Sequence, residues 1–187
     1  LISDQLLPFP KGHVMSKLER GVDALHVLVR QYVAESQTSI CIAMRSTNEQ
    51  DQQVESDYFM NLFGHRVELF ERYNAPWSTY RAMESSSIVI ALNSTCAFEA
   101  FGWGNKVLFC NLSGDDFFQT PLPDICSMNQ NEYTVFKNKL DSLRELNMND
   151  YKELTKVQAQ YIMKYDPEKP AHIKIREKIL LHCKLSN

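Results

Sequence analysis

The sequence predicts an α/β domain built on an open parallel sheet with helices on both faces, and three observations predict it. Short apolar runs of strand length recur at residues 38–44, 66–71, 88–92 and 107–110. Three of them are apolar without alternation, as strands buried on both faces require. Between them lie stretches in which apolar residues recur every three or four positions, the spacing of one helix face. Strands and helices taking turns in this way favour a parallel sheet covered on both sides. The arrangement is Rossmann-like, with further helices appended at the carboxyl end.

Taken in order, residues 1–13, with Pro8, Pro10 and Gly12, are expected to be irregular. Residues 14–35 form a helix whose buried stripe is Leu18, Val22, Leu25, Val29 and Val33. The strand at 38–44 ends in Arg45-Ser46-Thr47-Asn48, polar residues that open a loop or cap a helix. A helix over 50–63 follows, marked by Val54, Tyr58 and Leu62, with Gly64 as its stop. The run at 66–71 alternates as a strand, the chain turns through Asn74 and Pro76, and Ser78 caps a short helix over 79–84. Residues 88–92, Ile-Val-Ile-Ala-Leu, are the clearest strand. Asn93-Ser94-Thr95 and a helix over 95–103 follow at once, and Gly104-Asn105 turns into the strand at 107–110. Residues 111–130, rich in Gly, Asp, Pro and Asn, are expected to be a long loop, of the kind that often carries function. A strand at 132–136 and helices at 137–146, 149–164 and 171–184 close the chain. Pro167 and Pro170 separate the last two, and Pro170 stands near a helix start.

Composition narrows the function. A chain of 187 residues is long enough to bury a core as one domain. With 44% apolar residues, 23% charged residues and a net charge of −3, it has no basic field to hold a polyanion, so nucleic acid is not expected as a partner. No apolar run approaches the roughly 20 residues that span a bilayer, and the first residues lack the basic and apolar regions of a secretory signal. The chain does not begin with Met and reads as a piece of a longer protein. The expected location is the cytoplasm, with peripheral attachment to the inner face of the membrane only through the parent protein. Cys41, Cys96, Cys110, Cys126 and Cys183 are odd in number and widely spaced, which fits free thiols in a reducing compartment. His13, His26, His65, His172 and His182 are scattered, so no metal site is expected.

In an open α/β sheet, ligands bind outside the carboxyl ends of the strands. The loops at 45–48, 72–78, 93–95 and 111–118 are therefore the candidates. At 88–110 a strand runs straight into hydroxyl residues at a helix start. The free N–H groups and dipole of that helix make an anion site, to which Ser94 and Thr95 add hydroxyl donors. Glu99 lies one turn on, on the same face as Thr95, where a carboxylate can accept from two adjacent ribose hydroxyls. It is not placed for a capping box with Ser94 or Thr95. Arg45 and Ser46, at another strand end, are candidates for a phosphate clamp. Phe70, Tyr73 and Trp77, at a third, are candidates for stacking on a base. Each has a structural alternative: Ser94 and Thr95 as caps, Glu99 as a solvated residue, and the aromatics as core or interface. Asp115 and Asp116 read as solvated loop acids, and Cys96 as a packing residue with no histidine placed to activate it.

The run from Asn93-Ser94-Thr95 through Glu99 and Gly104-Asn105-Lys106 to a new apolar strand resembles the donor site of GT-B glycosyltransferases. It is most similar to bacterial surface-carbohydrate and capsule-type transferases, whose pattern is close to ST-x-x-x-EA-x-x-x-GK-x-V. The resemblance covers residues 65–111 well, including the short helix at Tyr80–Ser87, and the rest by element order. It implies that Ser94 and Thr95, beside Asn93, meet the donor phosphates and that Glu99 binds the ribose. Lys106 follows Asn105 where the family has Gly-Lys. The resemblance further implies that residues 1–187 are the nucleotide-sugar-binding half of a two-domain enzyme, with 149–187 a helical segment at its end. The substrates would be a nucleotide-sugar donor and a surface-glycan acceptor. No cofactor is implied. The general base is expected in the N-terminal domain of the parent, so the fragment alone would bind donor weakly and transfer nothing. The absence of a Gly-rich fingerprint argues for a nucleotide sugar rather than a dinucleotide. Two alternatives keep the same fold: half of a nucleotide-sugar 2-epimerase, which needs further acids and histidines at the cleft, and a non-catalytic nucleotide-binding or scaffold module.

Overall fold

The computed structural model describes residues 1–3, 16–119, 121–163, 166 and 168–185. Two parallel sheets carry the α/β fold. In the first, β1 (Ile40–Ala43) pairs with β2 (Val67–Phe70), Ile40 opposite Val67. In the second, β3 (Val89–Ala91) and β5 (Ser127–Met128) flank β4 (Val107–Cys110). The extended segment Leu1–Ser3 joins the two. On one side the Leu1 nitrogen donates to the Cys41 carbonyl at 2.7 Å. On the same side Ala43 N–H reaches the Leu1 carbonyl at 2.9 Å, and Ser3 N–H reaches that of Ala43 at 3.0 Å. On the other side Ile2 N–H reaches the Ile90 carbonyl at 2.9 Å.

The strands therefore succeed one another as β2, β1, Leu1–Ser3, β3, β4, β5. This is the order of a doubly wound sheet, whose winding reverses between Leu1–Ser3 and β3. The expectation of irregular backbone is corrected over residues 1–3, where Leu1 and Ile2 are buried. Three residues are too few to show a period. Residues 4–13 of that expectation, and the helix start at 14 and 15, lie outside the described residues.

The helices are α1 (Ser16–Ser36), α2 (Glu49–Phe63), α3 (Ser78–Ser85), α4 (Thr95–Gly102), α5 (Tyr133–Glu145), α6 (Met148–Ile162) and α7 (Ala171–Leu185). α1 packs on α2 and α5, while α4 packs on α3 and α6, so the sheet is covered on both faces. The stripe expected on α1 is buried in full, and Tyr32 joins it, its ring edge-on to Phe136 of α5. Ala97 and Ala100 of α4 have no exposed surface, which brings that helix backbone close onto the strands. Phe101 is also fully buried, a contribution of about 2–3 kcal/mol to the core. Gly64 ends α2 at a φ of 62°, a conformation that favours glycine.

The strand expected at 132–136 is corrected. Those residues begin α5, and the strand is β5, five residues earlier. Phe136, Leu140 and Leu143 are buried at helical spacing, and this long stripe outweighs the β-forming side chains Tyr133, Thr134 and Val135. β5 is two residues long, too short for a pattern. The stretch expected as a plain loop, 111–130, also holds two single-turn 3-10 helices, Asp116–Phe118 and Asp124–Cys126. None of the described helices is long and apolar enough to cross a membrane.

His26 shows how the core constrains charge. It lies between α1 and α2, its Nδ1 2.8 Å from the Tyr58 hydroxyl and its ring edge-on to Phe59. Burial lowers its pKa from 6.5 to about 4. The unfolded chain thus takes up a proton between pH 6.5 and 4 that the folded chain refuses, so stability is full above pH 6.5 and is lost on acidification through that window. Denaturant midpoints measured from pH 7 to pH 4.5 are expected to show a loss of about 2–3 kcal/mol, which His26→Gln flattens.

Candidate functional site

The carboxyl ends of the strands share one edge, and β3 stands there beside the point where the winding reverses. Leu92–Ser94 leaves the sheet and turns directly into α4. Ser94 is the N-cap, with extended φ and ψ of −131° and 131°, and its side chain makes no capping bond. Its carbonyl accepts the N–H groups of Ala97 and Phe98 at 3.1 and 3.3 Å. The groups before them point out of the helix end, where an anion is favoured. Asn93 and Thr95 are exposed around this end, and Ser94 is half-buried.

Glu99, half-buried one turn along, is held by α3. Tyr80 donates its hydroxyl to Glu99 Oε2 at 2.8 Å. This hydrogen bond is the main cause that pushes the Tyr80 pKa up to about 12, so Tyr80 remains a donor at neutral pH. The Tyr80 ring lies between Trp77, at 5.8 Å, and Trp103, at 5.6 Å. Burial, then the Glu99 charge, raises the Cys96 thiol pKa, which keeps it protonated and fits packing rather than nucleophilic chemistry.

Asn93, Ser94, Thr95 and Glu99 thus come together. Arg45 and Ser46 lie further along the same edge, where the Arg72 guanidinium reaches the Arg45 carbonyl at 3.5 Å. They follow β1, which Leu1–Ser3 separates from β3, a gap of two strand spacings or roughly 10 Å. Their backbone N–H groups are taken internally by the two carboxylate oxygens of Glu55, at 3.0 and 2.9 Å, and Glu55 is only 3% exposed. The Arg45 side chain itself is exposed. Tyr73 follows β2 at the outer edge, three spacings or roughly 14 Å from β3. Its N–H is bound by Gln52 at 2.7 Å, and the Gln52 amide in turn donates to Glu71. Asp115 is engaged by Lys17 and by the N–H of Phe117, both at 3.0 Å. Lys106 stands at the amino end of β4, away from this edge, and its buried ammonium donates to the Leu146 carbonyl between α5 and α6.

Sequence reasoning missed the residues that build this edge from behind. Gln52 and Glu55 lie three apart on α2 and tie down the loops after β2 and β1. Gly21 of α1 touches two further loops. A Cβ there would stand 2.7 Å from Leu92 Cδ1 and 2.9 Å from the Ser113 nitrogen, so only glycine allows this approach. Tyr80 and Trp103 belong to the missed set as well. Acids and amides on a buried helix face are a usable signal in a sequence, because a buried charge must find donors.

Among the described residues, two sizeable hollows flank the sheet. One of about 400 Å³ is lined by Val33, Thr38, Cys41, Ser86, Ile88 and Arg144, among others. It lies at the amino ends of the strands, the edge where parallel α/β sheets do not place their ligands. The other, of about 360 Å³, lies at the carboxyl end of β5 and is mainly polar, with Gln119, Asp124, Ser127, Asn129, Gln130 and Lys139 on its walls.

The model of a family described as "putative O-antigen biosynthesis protein" matches residues 24–179. No curated protein and no solved structure matches the chain. The family match spans most of the sequence, α2 through most of α7 and the Asn93–Glu99 edge included, and the chain belongs to that family.

Proposed function

We propose that this member of the O-antigen biosynthesis family binds a nucleotide-sugar donor at the carboxyl edge of β3, as the donor-binding half of a GT-B glycosyltransferase that extends a surface glycan. One observation carries the reading. A single helix, α4, offers an amino terminus whose cap Ser94 makes no capping bond and, one turn on, the carboxylate of Glu99 fixed by Tyr80. The helix end, with Ser94 and Thr95, takes the diphosphate. Glu99 Oε1 accepts the ribose hydroxyls while Oε2 stays with Tyr80. When the sugar departs, negative charge grows on the nucleotide phosphate, and the fixed dipoles of the helix end stabilise it without reorganising. The polar hollow beyond β5 lies on the same edge and suits the hydroxyls of the donor sugar. The general base and the acceptor site belong, in this reading, to another part of a larger protein.

Ligand-observed NMR with UDP, GDP, CMP, CDP and dTDP tests this on the chain and on the full-length parent. One nucleotide is expected to bind selectively, and Glu99→Ala to weaken its signal strongly. Failure of every nucleotide to bind the parent overturns the donor reading and leaves a scaffold module of the same fold.

A further inference from the structure

The chain has two tryptophans, and both stand in one aromatic row. Trp77 precedes α3, Tyr80 lies in its first turn, and Trp103 follows α4. The rings are 5.8 and 5.6 Å apart and tilted by 45° and 42°. Trp77 is 69% exposed and Trp103 44% exposed. Indoles rarely stand so far out of a fold, because each is a large apolar surface that folding would otherwise bury. An exposed apolar patch with polar groups beside it marks a binding surface.

We infer that Trp77, Tyr80 and Trp103 form a stacking platform for the pyranose rings of a glycan, running from the ligand edge down the outer face of α3 and α4. Three features favour a saccharide. The mutual tilt of the rings, 45° and 42°, gives a bent surface that a puckered sugar can follow. The C–H faces of pyranoses carry partial positive charge and meet the negative faces of aromatic rings. The spacing of the rings is comparable with the step between linked sugars. The platform adjoins the proposed donor site, as a transferase that must bring a glycan to its donor requires, but it stands on the row itself and not on nucleotide binding.

Because both tryptophans of residues 1–187 lie in the row, intrinsic fluorescence of this chain reports on it directly. The probes are α- and β-linked glucose and rhamnose oligosaccharides, with UMP, GMP and CMP as controls. Ring faces are read with little regard to sugar identity, so oligosaccharides are expected to quench and blue-shift the emission. Trp77→Ala and Trp103→Ala should each weaken binding about tenfold with unchanged circular dichroism, and Trp77→Phe should retain most of it. No response to any oligosaccharide, a response to nucleotides alone, or alanine variants that bind as tightly as the native chain would overturn the inference. Because the nucleotide assay reads Glu99 and the phosphate end, failure of the platform leaves that result standing, and the reverse holds too.

Discussion

Replacing Glu99 by alanine is expected to lower nucleoside diphosphate affinity by roughly tenfold to a hundredfold, the value of hydrogen bonds to a charged acceptor. Stability should change by no more than about 1 kcal/mol, because Glu99 is only half-buried and the freed Tyr80 hydroxyl can turn to water. Tyr80→Phe separates position from charge. It keeps the carboxylate but removes the 2.8 Å bond that orients it. A smaller loss, roughly threefold to fivefold, is expected, since a mobile carboxylate must be ordered again on binding. Calorimetric titration of the native chain and both variants, with melting temperatures measured in parallel, checks the order of the three affinities. A native-like affinity for Glu99→Ala would leave this carboxylate a solvated helix residue.

Glu55→Ala is expected to produce the largest loss of stability on this edge, about 3 kcal/mol, with a fall in melting temperature of roughly 6–12 °C. The substitution strands two backbone donors, the N–H groups of Arg45 and Ser46, in a place where Glu55 was 3% exposed. A buried donor without a partner costs about 1–3 kcal/mol. Glu55→Gln should cost about half as much, because the amide presents one oxygen and must turn its own N–H groups toward the second donor. Chemical denaturation of the three proteins gives these differences directly. Equal stability of all three would mean that water replaces the carboxylate and that the loop after β1 needs no tie.

Much of the fold was legible because the strands declare themselves. Ile88–Leu92 and Val107–Cys110 are apolar on both faces, and the α1 stripe has a clear helical period. The short segments were not. Leu1–Ser3 and β5 have three and two residues, and what makes them strands is their neighbours: Ala43 and Ile90 in one case, Phe109 and Cys110 in the other. Of the site, the Asn93–Thr95 turn and Glu99 could be read because they are adjacent in sequence and one helical turn apart. Arg45, Ser46 and Tyr73 follow other strands of the same edge, and how near their loops come to Ser94 depends on strand order, which sequence does not encode locally. Tyr80 could not be found at all by spacing. It is 19 residues from Glu99, and only the packing of α3 on α4 brings them together.

The central claim is a place, the amino end of α4, and amide chemical-shift mapping locates it most directly. A ¹⁵N-labelled chain would be titrated with the nucleoside diphosphate that binds best. The largest shifts are predicted at Ser94, Thr95, Cys96 and Ala97, with smaller ones at Glu99 and Tyr80. Shifts confined to Thr38–Cys41 and Ser85–Ile88, around the hollow at the opposite edge, would contradict the account and move the ligand to the amino ends of the strands.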